Sequence, residues 1–216
     1  MSLTLYYHPL SSFCWKVLIA LHENGTPFKP VSVDLGDPGE RAALSKLWPV
    51  GKFPVLRDDA RSQTVPESSI IIDYLDRFHP GGIRFTPADG DTVWQARLKD
   101  RFYDLYVHLP TQAIVGHRLR PANAKDPHGV EEAKARLRAS FDMIEAEMAG
   151  RTWATGESFT IADCAASPSL YYADKVLPFR GTHRHVAAYL DRLMARPAFA
   201  RVLEEAKPYA HLFPEE

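Results

Sequence analysis

Ser11-Ser12-Phe13-Cys14 sits where an apolar segment, Leu3-Thr4-Leu5-Tyr6-Tyr7, passes through His8-Pro9-Leu10 into a second apolar run closed by Gly25. The pattern reads as a strand feeding the first turn of a helix. A helix start presents backbone N–H groups without internal partners at the positive end of the dipole, so an anion is stabilised there. Ser11 and Ser12 are hydroxyls placed either to cap the helix or to donate to such an anion. Cys14, three residues beyond Ser11, is either a low-pKa thiolate or a small buried hydrophobe. With serine at position 11, the paired thiols of a C-x-x-C redox motif are missing.

Three further clusters carry chemistry or local architecture. Phe53-Pro54-Val55 places a proline at the opening of a strand, where its missing N–H is tolerated. A cis bond there would turn the chain and free Val55 backbone groups for a peptide-like ligand, whereas a trans bond would mark an ordinary edge. Pro66-Glu67-Ser68-Ser69 precedes an apolar helix, and acidic and hydroxyl residues are usual helix-start chemistry. The functional alternative pairs Glu67 with a ligand ammonium and Ser68, with its N–H, with a carboxylate. Phe159-Thr160-Ile161-Ala162-Asp163-Cys164 reads as structural: Thr160 caps, Asp163 completes a capping box, and Phe159 staples onto Cys164.

The elements that must position these residues divide the chain in two. Residues 28–34 alternate as a second strand, and with the helix between they form a βαβ unit with parallel strands. After a weak helix at 41–47, residues 51–56 and 63–65 form an antiparallel hairpin. A helix follows from 67 to 78, with Ile70, Ile71, Tyr74, Leu75 and Phe78 at helical spacing. Residues 81–89 are rich in breakers and read as a linker between a domain at 1–80 and another at 90–216. No strand-like alternation returns after it. Leu98, Phe102, Leu105 and Leu109 mark the expected buried stripe of a long helix that Pro110 kinks. Further helices are expected at 130–148, 161–174, 184–195 and 198–205.

Composition narrows the class. With 45% hydrophobic and 25% charged residues the chain is an ordinary globular protein, and its net charge of −1 offers nothing to nucleic acid or an anionic membrane. No apolar run reaches the roughly 20 residues needed to span a bilayer, and without a basic stretch leading into an apolar one at the N-terminus no secretion signal is expected. The two cysteines, Cys14 and Cys164, form no metal-type cluster, so no metal is expected and a reducing cytoplasm is the expected compartment.

Taken jointly and in order, these motifs resemble the cytosolic glutathione S-transferases over essentially the whole chain. Ser11-Ser12-Phe13-Cys14-Trp15-Lys16-Val17 is similar to the serine motif of the theta, delta and zeta classes, as in a bacterial member of that serine type. Pro49-Val50-Gly51-Lys52-Phe53-Pro54-Val55-Leu56 resembles the family's N-P-x-G-x-V-P-x-L, with Trp48 where asparagine is usual. Glu67-Ser68 matches its E-S pair, and Thr160 to Asp163 its helical-domain capping box.

The resemblance implies an α/β domain of thioredoxin-like βαβ–ββα order, followed by an all-α domain. It implies a homodimer, and glutathione as co-substrate. Ser11 would donate to the glutathione thiolate, with Ser12 as its rival. Val55, beside Phe53 and Pro54, would pair with the cysteinyl backbone, Glu67 and Ser68 would hold the γ-glutamyl end, and Lys52 would approach the glycyl carboxylate. A hydrophobic electrophile would lie between the domains, with Tyr103, Tyr106, His108, His117, Arg118 and Arg120 as candidates to line its site. The tyrosines could equally pack against helices and the arginines pair with surface carboxylates; facing the pocket, the arginines would favour acidic electrophiles. Reductive dehalogenation or isomerisation would use the same serine motif, although Phe13 replaces the zeta cysteine. A scaffold protein of the same fold is the alternative outside catalysis.

Overall fold

The computed structural model describes residues 2–214. Alternation sets the sheet: Leu3 and Leu5 of β1 (Leu3–Tyr7) point into the core, almost without exposure, and β1 takes a central place in the order β2-β1-β3-β4. β2 (Lys29–Ser32) runs parallel to β1, with Thr4 opposite Lys29. β3 (Val55–Asp58) runs antiparallel to β1, with Leu5 opposite Leu56, and β4 (Gln63–Pro66) closes the hairpin with Val65 opposite Leu56. The third strand thus begins after Pro54 and not at residue 51, and Gly51 instead occupies a turn at φ +67°.

Three helices flank the strands. α1 (Ser12–Glu23) is apolar nearly all round, because it packs against α3 (Ser68–Phe78) of its own half and against helices of the second half. α2 (Pro38–Leu47) starts at Pro38, earlier than its weak pattern implied. Asp37 caps it by accepting from the Glu40 N–H at 2.8 Å, and proline suits a first helical turn. Ser68, Ile71, Ile72 and Leu75 form the buried face of α3, whereas Ile70, grouped with that face by spacing, is exposed.

The second half is helical. It comprises α4 (Gly90–Phe102), α5 (Leu109–Leu119), α6 (Pro127–Met148), α7 (Ile161–Val176), α8 (Arg184–Met194) and α9 (Pro197–Ala206), with 3-10 turns at Ala122–Ala124 and Lys207–Leu212. α7 is the hub, touching α1, α4, α5 and α8.

The 81–89 segment is docked, not free. Phe85 is fully buried, its carbonyl accepts the Ile161 N–H at 2.9 Å, and the Phe85 and Thr86 N–H groups donate to Asp76.

The α4–α5 region corrects two expectations. Between the two helices the chain widens into a π-helical segment, Tyr103–His108, where the Leu109 N–H reaches the Asp104 carbonyl. Pro110 has no N–H for the Tyr106 carbonyl four residues earlier, and that carbonyl accepts the Ser140 hydroxyl at 2.9 Å instead. The Leu98, Leu105 and Leu109 stripe is not buried; these side chains are 55%, 44% and 45% exposed. The face turned inward is Ala96, Asp100, Tyr103, Asp104, Val107, His108, Thr111 and Ile114, with only Phe102 of the expected stripe buried beside it. Polar residues on that inner face hid it from a reading by apolar spacing.

Candidate functional site at the start of the first helix

Ser11 holds the position between β1 and α1. Its backbone is extended (φ −76°, ψ 119°), and its Oγ accepts the Cys14 N–H at 3.4 Å as a long cap. The approach is a tight turn, with the Ser11 N–H donating to the His8 carbonyl at 3.0 Å and the Leu10 N–H to His8 Nδ1 at 3.2 Å. Burial lowers the His8 imidazole's affinity for a proton, with Asp34 opposing. Cys14 is wholly buried and its thiol is pushed up to about 12, despite the hydrogen bond to Ser11. It is therefore a packing residue and not a reactive thiolate.

Two adjoining cavities meet at Ser11. The first, about 360 Å³, is lined by Ser11, Lys52, Phe53, Pro54, Glu67 and Ser68, together with Phe13, Leu35, Trp48, Leu109 and Gln112. The Phe53–Pro54 peptide bond in its wall is cis. Val55 is fully buried and pairs with Tyr6 and Pro66, so its side chain stays outside the lining. Glu67 sits at φ +70° and makes no cap with its side chain. L-residues avoid that region at a cost of about 1–3 kcal/mol, and such strain gathers at ligand sites.

The second cavity, about 400 Å³, shares Ser11, Phe53 and Gln112 with the first. Leu10, Val115, Leu119, Tyr172, Leu212 and Phe213 give it apolar walls, and Ser12, His108, Thr111 and His8 add uncharged polar groups. Ser12 is buried, with Oγ 2.7 Å from His108 Nε2, while the Phe13 ring meets the His108 ring edge-on at 4.7 Å. Burial, helped by the Lys16 ammonium, pushes the His108 imidazole down to about 4.

Of the residues expected to line an electrophile site, His108 lines the second of these two cavities and the others line neither. Tyr103 lies in the core beside Tyr189, and burial raises its phenol well above the ordinary value. Tyr106 is largely exposed, with its ring near Phe102. His117 accepts the Asp126 N–H at 2.9 Å, Arg118 donates to the Pro214 carbonyl at 3.1 Å, and Arg120 faces Asp126 at 3.7 Å. His117 and Arg120 turn toward the connection after α5, Arg118 reaches Pro214, and none of the three is among the residues that line the two cavities.

Sequence spacing missed two groups. Gln112, shared by both cavities, has no local signature. Behind the first cavity, buried Lys16 meets Asp100, Asp104 at 2.9 Å and the Ser69 hydroxyl at 2.9 Å, and Ser69 donates to Asp100 at 2.7 Å. Arg101 covers Asp104 from the solvent side. A lysine inside the otherwise apolar α1 was the available signal, since a buried ammonium needs a paired carboxylate. The cluster clamps α1, α3 and α4 together next to Ser68.

Among the described residues, no group of three or more His, Cys, Asp or Glu side chains is arranged to hold a metal ion. Among the same described residues, no helix is long and apolar enough to cross a membrane.

Comparison with known proteins gives this geometry a context. Residues 5–82 match the glutathione S-transferase N-terminal domain and residues 127–192 the C-terminal domain. Glutathione S-transferase 3 of Zea mays is 30% identical over 210 residues, 93% of this chain and 93% of its own. A stringent starvation protein A homolog of Haemophilus influenzae is 28% identical over 217 residues, 95% of this chain and 92% of its own. Among solved structures, a glutathione S-transferase of Methylobacterium radiotolerans in complex with glutathione sulfonate superposes with a TM-score of 0.81. It is 28% identical and covers 93% of each chain. A four-stranded mixed sheet of thioredoxin-like order, an all-helical second half and both matched domains lead to one conclusion: the chain belongs to the glutathione S-transferase family.

Proposed function

We propose that the protein is a serine-type glutathione transferase that directs the glutathione thiolate onto a hydrophobic electrophile. The observation that carries this reading is the meeting of the two cavities at Ser11. One is lined by Lys52, Phe53, Pro54, Glu67 and Ser68, a set suited to a zwitterionic peptide, and the other is apolar. In this reading Ser11 donates its hydroxyl hydrogen to the sulfur at the α1 N-terminus, where the dipole favours the anion. Glu67 takes the γ-glutamyl ammonium, Ser68 the neighbouring carboxylate, Val55 backbone groups the cysteinyl unit, and Lys52 the glycyl carboxylate. The electrophile then enters the second cavity, within reach of the sulfur.

The same reading takes residues 1–80 as the glutathione-binding domain, 81–89 as its connection and 90–216 as the helical domain. It places the protein in the cytoplasm as a homodimer. Supporting it is the Methylobacterium radiotolerans relative, solved with glutathione sulfonate. A non-catalytic scaffold is the second reading, favoured by the match to a relative named for stringent starvation and not for transfer. Retention on immobilised glutathione together with turnover of an aryl halide separates the two. Ser11→Ala should cut that turnover at least about tenfold, the scale of one lost donor to a developing anion. Unchanged turnover in Ser11→Ala would remove Ser11 from the chemistry, and failure of both binding and turnover would leave the scaffold.

A further inference from the structure

Beside Ser11, a second hydroxyl opens into the apolar cavity with a partner of its own. Ser12 Oγ lies 2.7 Å from His108 Nε2, both residues are more than nine-tenths buried, and both line the cavity. His108 Nδ1 is buried with no hydrogen-bond partner among the described residues. A neutral imidazole carries one N–H. An orphaned buried N–H is rarer than a bare acceptor, so the arrangement favours the hydrogen on Nε2, donating to Ser12 Oγ. The Ser12 hydroxyl hydrogen is then free to point elsewhere. The other hydroxyls of this lining besides Ser11 are committed: Thr111 donates to the Val107 carbonyl at 2.8 Å and Tyr172 to the Leu10 carbonyl at 2.8 Å.

We propose that Ser12, oriented by His108, donates a hydrogen bond to the electrophile, and that the pair suits the second cavity to uncharged conjugated carbonyl compounds. The inference rests on the transferase reading, with Ser11 serving the sulfur and Ser12 the acceptor. Among the described residues, no lysine, arginine, aspartate or glutamate lines the second cavity, so its described walls offer no charged partner to a substrate. An uncharged donor at the floor of an apolar cavity is most useful where negative charge develops on a neutral molecule's oxygen. Addition to an enone does this. The sulfur lone pair forms the C–S bond at the β-carbon, the alkene π pair moves toward the carbonyl carbon, and the carbonyl π pair moves onto oxygen. Ser12 donates to that oxygen without losing its proton. The α-carbon then takes a proton from water, replacing the one released when the thiol ionised, and nothing is oxidised or reduced. The imidazole's depressed affinity for protons keeps His108 neutral at pH 7, so it acts as a positioning residue and not as an acid.

The test compares glutathione addition to an uncharged aryl enone with glutathione alkylation by an alkyl iodide of similar size, which builds no charge on oxygen. Ser12→Ala and His108→Leu should each lower the enone-to-iodide ratio of kcat/KM by about tenfold or more. His108→Gln, whose terminal amide N–H reaches the place of Nε2, should restore most of the ratio. The double variant Ser12→Ala/His108→Leu should be no worse than Ser12→Ala, since His108 acts through Ser12. A ratio unchanged in Ser12→Ala, or equal loss in His108→Leu and His108→Gln, overturns the proposal. Should Ser12→Ala fail to fold, the His108 pair decides. No turnover of either substrate by the unsubstituted protein overturns the transferase reading, and this proposal with it.

Discussion

Burial strips the protonated His108 imidazole of its hydration, and the Lys16 ammonium repels the added charge, so the folded chain holds the ring at about 4. The unfolded chain releases it near the ordinary value of about 6.5. Between those limits the unfolded state binds more protons than the folded state, so stability falls as pH drops from about 6.5 toward 4. His8 and His22, both lowered by burial, act in the same direction. His108→Gln removes one of these contributions and leaves the others. Its stability should therefore fall less steeply over that window, by up to about 1.4 kcal/mol per pH unit, in urea titrations at a series of pH values. Parallel slopes for the two proteins would show that the ring is not held neutral. None of this is visible in the sequence, where His108 is one polar residue on a helix; its environment comes from α1, 96 residues away.

At the scale of elements, local chemistry was legible because it is completed within a few residues. The Thr160–Asp163 capping box forms as its spacing required, with the Thr160 N–H donating to Asp163 Oδ2 at 2.8 Å. What spacing could not give was how far the fold relies on that carboxylate. Asp163 is fully buried and also accepts from the Ala154 N–H at 2.8 Å and the Tyr189 hydroxyl at 2.6 Å. Burial pushes its pKa up while these bonds pull it down, and burial wins. Thr160→Ala loses a cap and should cost about 0.5–2 kcal/mol. Asp163→Ala strands several buried donors at once and should cost more, at least about 3 kcal/mol. Chemical denaturation of the two variants checks the order, and equal losses would mean that Asp163 only caps α7.

For the whole molecule, apolar periodicity announces a face that something must cover without saying which chain covers it. The sheet, α1 and α7 were readable because their apolar residues meet partners within the same chain. Along α4 and into α5 the spacing was present, but Trp94, Leu98, Leu105 and Leu109 stand 54%, 55%, 44% and 45% exposed. Ile70 of the neighbouring α3 is 52% exposed, and the Arg97 to Asp73 ion pair at 2.8 Å ties α3 and α4 together beside it. A run of apolar side chains along one helix suits a two-fold axis, where each copy meets the same surface. The net charge of −1 opposes that association little. The homodimer proposed above should therefore close over this stripe. Leu98→Glu/Leu105→Glu places four carboxylates in the joined surface and should weaken association at least about 100-fold, a cost of about 3 kcal/mol. Sedimentation velocity at micromolar concentration should show dimer for the unsubstituted chain and monomer for the variant, with unchanged far-ultraviolet dichroism. A monomeric unsubstituted chain, or a variant that remains dimeric, would separate the exposed stripe from assembly.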